Sequence, residues 1–245
     1  MSTFWIALGL SLLGGLGGLL VASGVLLIRD PLRGTLVPWL VSYAVGALLG
    51  ISMMGLLPES LDALPARRVF ATLLGGILLF FILEKLVLWR HCHTHDCEVH
   101  ESTVASVMIG DAFHNFVDGA VIAAAVLTSV PLGVSTAVAV AAHEIPQEIG
   151  DFAILLHAGY SRGRALLLNL LSALASAAGA IGAFLAFDFV PRTLPYFLVL
   201  AASSFLYVAM ADLIPGLHRG RTDASSLRQI LLIALGIATM VLLQD

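Results

Sequence analysis

The chain has 245 residues, 59% of them hydrophobic and 11% charged, with a mean hydropathy of +1.00. A soluble domain carries about 25% charged residues. This composition therefore excludes a soluble fold and predicts an all-α polytopic membrane protein, a single transmembrane domain over 1–245. A net charge of −4 and a pI near 6.0 give no reason to expect nucleic acid as a partner; the lipid bilayer is the expected surroundings. Cys92 and Cys97 share one short polar stretch and make no disulfide framework.

In chain order, eight apolar segments are read at 3–28, 36–57, 69–90, 103–128, 134–158, 163–187, 194–215 and 226–243. The first has no Lys or Arg before Arg29 and reads as a spanning helix, not a cleaved signal peptide. The eighth is the weakest, being short and opening with Arg228-Gln229. With the N-terminus outside, the cytoplasmic side holds Arg29, Arg33, Arg90, Arg162, Arg164, Arg219, Arg221 and Arg228, and the outer side only Arg67, Arg68 and Arg192. That bias predicts extracytoplasmic termini in a cell (inner) membrane.

Small residues mark close helix contacts: Gly14 and Gly18, Gly46 and Gly50, and the run from Ser172 to Gly182. Simple packing is the plainer reading, although such a face would also let one bundle slide on another. Met53-Met-Gly-Leu-Leu-Pro58 echoes Met210-Ala-Asp-Leu-Ile-Pro215 in an oppositely directed segment, as an inverted repeat requires. Six apolar residues are within the reach of chance, which is the plainer reading here too. Met53, Met54, Glu59 and Asp62 could receive cations at the outer end. Glu84 and Lys85 read as structural neighbours.

The stretch 91–101 belongs to a predicted cytoplasmic loop, with four His, two Cys and two acids within 91–100. That composition suits flexible metal capture, though its spacing matches no ordered zinc motif.

The middle of the chain carries the chemistry. His114-Asn-Phe-Val-Asp118-Gly119 and His143-Glu144-Ile-Pro-Gln147-Glu148 each lie inside an apolar run long enough to cross a bilayer. A centred Asp there costs roughly 2.5–3.5 kcal/mol. No Lys or Arg occurs between Arg90 and Arg162, so Asp111, Asp118, Glu144, Glu148 and Asp151 have no fixed cationic partner within their own two helices. A divalent cation would supply one.

A short link at 129–133 makes the fourth and fifth helices an antiparallel hairpin. Taking the turn at Val130-Pro131, residues at one depth have numbers summing to 261. His114 is then level with Gln147, and Asp118 with His143. His114/Asp118 and His143/Gln147 are also i, i+4 pairs on single helix faces. A metal site of N and O ligands between helices four and five follows. Asn115, Glu144 and Glu148, about 100° round, are placed for a second ion or a neighbouring helix. Pro146 frees the carbonyl of Ala142.

These strings, with GDAFHNF before the first, HEIPQEIGDFAILL at the second and DLIPG in the seventh segment, resemble the paired signature of the ZIP (Zrt-, Irt-like protein) family of divalent-metal transporters. The resemblance implies an all-α transporter moving zinc, and often iron, manganese or cadmium, towards the cytoplasm, with no enzymatic activity. The metal is its cargo, and no cofactor is expected. It implies ligands at His114, Asn115, Asp118, His143, Glu144 and Gln147, an elevator-like movement of one bundle past another, and a homodimer. Gln147 stands where relatives often carry His or Glu, and Ser176 where some carry an acid.

Two other readings compete. An intramembrane zinc metalloprotease would need H-E-x-x-H, which Gln147 breaks. A membrane metal sensor or buffer would bind without flux.

Overall fold

The computed structural model describes residues 2–91, 101–218 and 224–244, which are helical apart from their connections, with no strand among them. The helices are α1 (Ser2–Leu26), α2 (Asp30–Gly50), α3 (Leu57–Ala63), α4 (Ala66–His91), α5 (Glu101–Thr128), α6 (Val130–His157), α7 (Arg162–Ala173), α8 (Ala175–Phe189), α9 (Leu194–Tyr207), α10 (Ile214–His218) and α11 (Ala224–Leu242). π-helical turns at Ile51–Leu56 and Val208–Leu213 run α2 into α3 and α9 into α10. Among the described residues, six stretches are long and apolar enough to cross a membrane. The sequence gives eight. The other two are α11, which is short, and α6, which has the length but carries a polar middle. The chain is an all-α, polytopic membrane protein. Residues 92–100, most of the predicted metal-capturing loop, lie outside the described residues.

Packing divides the helices into two bundles. α1, α5, α6, α7 and α8 pack on one another, and α2, α3, α4, α9 and α11 form the other group. The bundles meet chiefly where α6 lies on α2 and α5 on α9. Tyr207 donates to Glu84, linking α9 to α4. Lys85 stacks on Phe81 at 5.5 Å, so Glu84 and Lys85 each have a separate structural partner.

The α5–α6 hairpin is tighter than a five-residue link would make it. Ser129 alone separates the helices, and its hydroxyl accepts from Leu132 N–H at 3.3 Å, with Pro131 in the first turn of α6. Gly133 is required there, because a Cβ would lie 2.2 Å from Val126 Cγ2. At the far end of α6, Gly159 takes φ +86°, while Tyr160 N–H reaches Leu155 O and Gly159 N–H reaches Leu156 O, each at 3.1 Å. That is a Schellman stop. It reverses the chain into α7, where the Ser161 hydroxyl accepts from Arg164 N–H at 3.4 Å.

The echo between the second and seventh segments has a counterpart in the backbone. Leu57 N–H bonds to Ser52 O, and Ile214 N–H bonds to Ala209 O. Each is a five-residue turn, and each precedes a proline, Pro58 or Pro215. The same backbone device thus recurs at the aligned register, and each π turn packs against the helix that carries the other. A proline cannot donate to the carbonyl four residues back, and a widened turn accommodates its ring.

The predicted small-residue contacts are backbone approaches inside the bundles. A Cβ on Gly46 would lie 2.1 Å from Ile233 O, one on Gly179 1.8 Å from Phe116 O, and one on Gly119 1.8 Å from Ser176 O. These faces bind α2 to α11 and α5 to α8, so they are not the surface along which the bundles meet. Gly119→Ala should cost on the order of 1–3 kcal/mol through overpacking. Gly17→Ala, with nothing within 4 Å of its new Cβ, should be neutral or slightly stabilising. Thermal unfolding of the two purified variants checks the contrast.

Candidate metal centre

α5 carries Asp111, His114, Asn115 and Asp118 at i, i+3, i+4 and i+7, one continuous helix face. α6 opposes it with His143, Glu144, Gln147, Glu148 and Asp151. From these the structure gathers a tetrad, His114, Asp118, His143 and Glu144, whose ligand atoms all lie within 4.8 Å of one another. His143 Nε2 is 3.1 Å from Asp118 Oδ2 and 3.1 Å from His114 Nε2. His114 Nε2 lies 3.6 Å from Asp118 Oδ2, and both imidazoles lie 3.7 Å from Glu144 Oε1. Bonds of 2.0–2.2 Å from zinc to N and O set tetrahedral edges of about 3.3–3.6 Å. These five separations, 3.1–3.7 Å, bracket that range.

The surroundings aim these groups. His143 Nδ1 sits 3.1 Å from Ala139 O. A carbonyl only accepts, so Nδ1 carries the proton and the Nε2 lone pair faces the tetrad. Phe205 of α9 stacks on His143 with ring centroids 5.8 Å apart, closing the site from the second bundle. Gly18 of α1 backs Glu144 so closely that a Cβ there would meet Glu144 Cβ at 2.5 Å. Asp118, His143 and Glu144 are buried, whereas the His114 side chain is 23% exposed and forms the open side. Neither oxygen of Glu144 has a hydrogen-bond donor. A buried carboxylate without donors is costly unless a cation offsets it.

Three of the sequence candidates fall outside the tetrad. Gln147 Nε2 donates to Asp111 Oδ1 at 2.9 Å and is not level with His114. Asn115 Nδ2 donates to the same oxygen at 3.2 Å, and its own Oδ1 is buried without a donor. Glu148 is fully buried, with both oxygens unpartnered. The equal-depth sum of 261 holds for Asp118–His143. Away from the turn it becomes 258 for His114–Glu144 and for Asp111–Gln147, a slip of nearly one helical turn. Packed helices cross at an inclination of roughly 20–50°, so register read from a turn drifts with distance from it. That drift brings Glu144 inward and sends Gln147 to Asp111.

Asp111 is the residue that sequence reasoning left out of the site; its i, i+3, i+4, i+7 relation to His114, Asn115 and Asp118 is the signal that marks it. Ser176 hydrogen-bonds to Ala173 O at 2.7 Å and Ser11 O at 3.2 Å, and it lies beside Asn115 across Gly15. Met53 and Met54 are exposed on the first π turn, Glu59 is half-buried and Asp62 exposed.

Residues 89–244 match the family model described as ZIP zinc transporter. The chain belongs to the ZIP family. It is 34% identical over 223 residues to zinc transporter ZIP13 of Pongo abelii, covering 83% of this chain and 65% of that protein. With ZIP13 of Mus musculus it shares 30% over 248 aligned residues, 83% of this chain and 69% of the relative. With ZIP4 of Homo sapiens it shares 46% over 115 residues, 47% of this chain and 18% of the relative. The chain thus spans about two thirds of its ZIP13 relatives and less than a fifth of ZIP4.

In this ZIP chain Gly18 is predicted to position the tetrad without touching an ion. Gly18→Ala should push Glu144 aside and weaken zinc binding by roughly 10-fold or more, the scale of lost outer-shell support. Equilibrium dialysis of the folded variant reads that loss directly.

Proposed function

We propose that the chain carries zinc, or a similar divalent cation, across the membrane towards the cytoplasm, with the tetrad as its ion site. The observation that carries this reading is the set of two imidazoles and two carboxylates with ligand atoms within 4.8 Å of one another, in helices that contain no Lys or Arg. Two N and two O donors suit zinc, with iron, manganese and cadmium as competitors. The relatives' names point the same way. Asn115 and Gln147 act from outside the tetrad through their shared bond to Asp111, and Glu148 stands apart from the tetrad, placed for a second ion. No observation favours a hydrolytic site, since Gln147, where the second histidine of H-E-x-x-H would stand, is bonded to Asp111. The arginine bias supports extracytoplasmic termini in a cell (inner) membrane. In this reading the chain is one transmembrane domain, assembles as a homodimer, and captures metal at the cytoplasmic loop 91–101.

Metal flux into proteoliposomes, across a panel of ions, tests the reading. His143→Ala and Asp118→Ala should each cut zinc flux more than about 10-fold, while Gln147→Ala should change it only a few-fold, as an outer-shell partner of the site. Ordinary zinc flux through a folded His114→Ala/Asp118→Ala variant would sink it. Replacing the His and Cys of 91–100 by Ser should weaken apparent zinc affinity yet preserve transport. Complete loss of flux with normal expression would place that loop in the pathway itself.

A further inference from the structure

One helical turn beyond the tetrad, away from the Ser129 turn, lies a second group of buried polar residues. Asp111, Glu148 and Asp151 are 5%, 0% and 8% exposed. Both oxygens of Glu148 and one each of Asp111 and Asp151 have no hydrogen-bond partner. Asp111 is bonded at 2.9 Å to Gln147, the residue just before Glu148 and one turn before Asp151 on α6. Its other oxygen is already satisfied by the amides of Gln147 and Asn115. Among the described residues no Lys, Arg or His is paired with any of the three.

The independent observation is on α7. Asn169 is 0% exposed, yet neither its amide nitrogen nor its oxygen has a partner, and the Ser172 hydroxyl is likewise buried and unsatisfied. Their placement is fixed from both sides. Ala165, one turn before Asn169, packs with Val104 of α5 and with Phe152 and Leu155 of α6. Ala173, one turn after it, lies with Ser176 across Gly15 from Asn115. Residues 165, 169, 172, 173 and 176 share one helix face. Asn169 and Ser172 therefore lie on the buried face of α7 that packs on α1, α5 and α6, at the depth between Phe152 and Asn115, which is the depth of Asp111 and Glu148. The Val104, Phe152, Leu155 and Ala165 cluster forms an apolar floor beneath them.

We propose that Asp111, Glu148 and Asp151, faced by Asn169 and Ser172, form a second divalent-cation site, built from oxygen ligands alone. Three carboxylates, one amide carbonyl and one hydroxyl are the donors of a hard-cation site, unlike the imidazole-bearing tetrad. Such an ion would offset three acids that otherwise repel one another in low dielectric. Manganese is the probe of choice, being hard, divalent and paramagnetic. Binding at equilibrium is the claim, and it stands whether or not the chain transports.

The test is manganese titration of the full-length chain in nanodiscs at pH 7, with the His and Cys of 91–100 changed to Ser and bound metal counted by electron paramagnetic resonance. The parent should bind two Mn2+, one of which one equivalent of zinc displaces from the tetrad. Glu148→Gln/Asp151→Asn should bind one fewer Mn2+ with zinc affinity at the tetrad kept, which also verifies the fold. Asn169→Leu should weaken the zinc-resistant Mn2+ roughly 10-fold, and Asn169→Asp should tighten it, because ligand charge sets affinity at oxygen sites. An unchanged manganese count in the double variant overturns the proposal, as it would if the acids simply held protons. Parallel loss of zinc from a folded double variant also overturns it, because the chamber would then not be a separate site.

Discussion

Five carboxylates buried in two helices without a single lysine or arginine form the constraint on which the structure depends. Two like charges 4 Å apart repel by about 4 kcal/mol even at an effective dielectric of 20. Among the described residues the amides of Asn115 and Gln147 donate to Asp111, whereas the His143 imidazole faces Asp118 and Glu144 with its Nε2 lone pair. Glu144, Glu148 and part of Asp151 receive no donor at all. Hydrophobic packing cannot remove that cost, so the site is organised for a charge that comes from outside the chain.

Bringing the groups together requires helices closer than ordinary side chains allow, and glycine makes that approach. Gly119 and Gly179 set α5 and α8 backbone to backbone, and Gly18 gives Glu144 the room to turn inward. The helix pattern has a double duty on α5: the residue after Asp118 must be Gly because Ser176 O occupies the space of its Cβ. Ligand and packing residues thus alternate within one hexapeptide, and a side chain added for stability at Gly119 would separate the helices that support the site.

Much of this was legible in the sequence. The all-α membrane character, the hairpin, and the partnership of Asp118 with His143 follow from apolar length, a short link and i, i+4 spacing, because each depends on local geometry. Gln147 was misplaced because depth counted from a turn assumes parallel axes, and inclined helices lose register over two turns. Asp111 stands in the sequence as one of five uncompensated acids without a place in the ligand set, and its bonds to two amides give its position. Asn169 and Ser172 carry no sequence signal, since a polar residue on an apolar helix gains meaning only from what it faces. The Met53–Pro58 and Met210–Pro215 echo was undervalued for the opposite reason. Its side chains match weakly, but the prolines impose one backbone form on both segments.

The division into two bundles gives that backbone form a setting. All four tetrad residues belong to α5 and α6, so their mutual distances are internal to one bundle. Two of the contacts that cross to the other bundle are apolar in kind: the His143 ring against Phe205, and Leu132 against Gly55, which lies within the first π turn. A displacement between the bundles would alter these contacts without opening the tetrad. Such contacts are non-directional and cost little to exchange for similar ones, whereas an unpaired buried carboxylate is costly wherever it sits. The polar network is therefore confined to one rigid, glycine-packed group. The π turns, whose hydrogen bonds already depart from α-helical spacing, lie in the two helices of the other group that receive it.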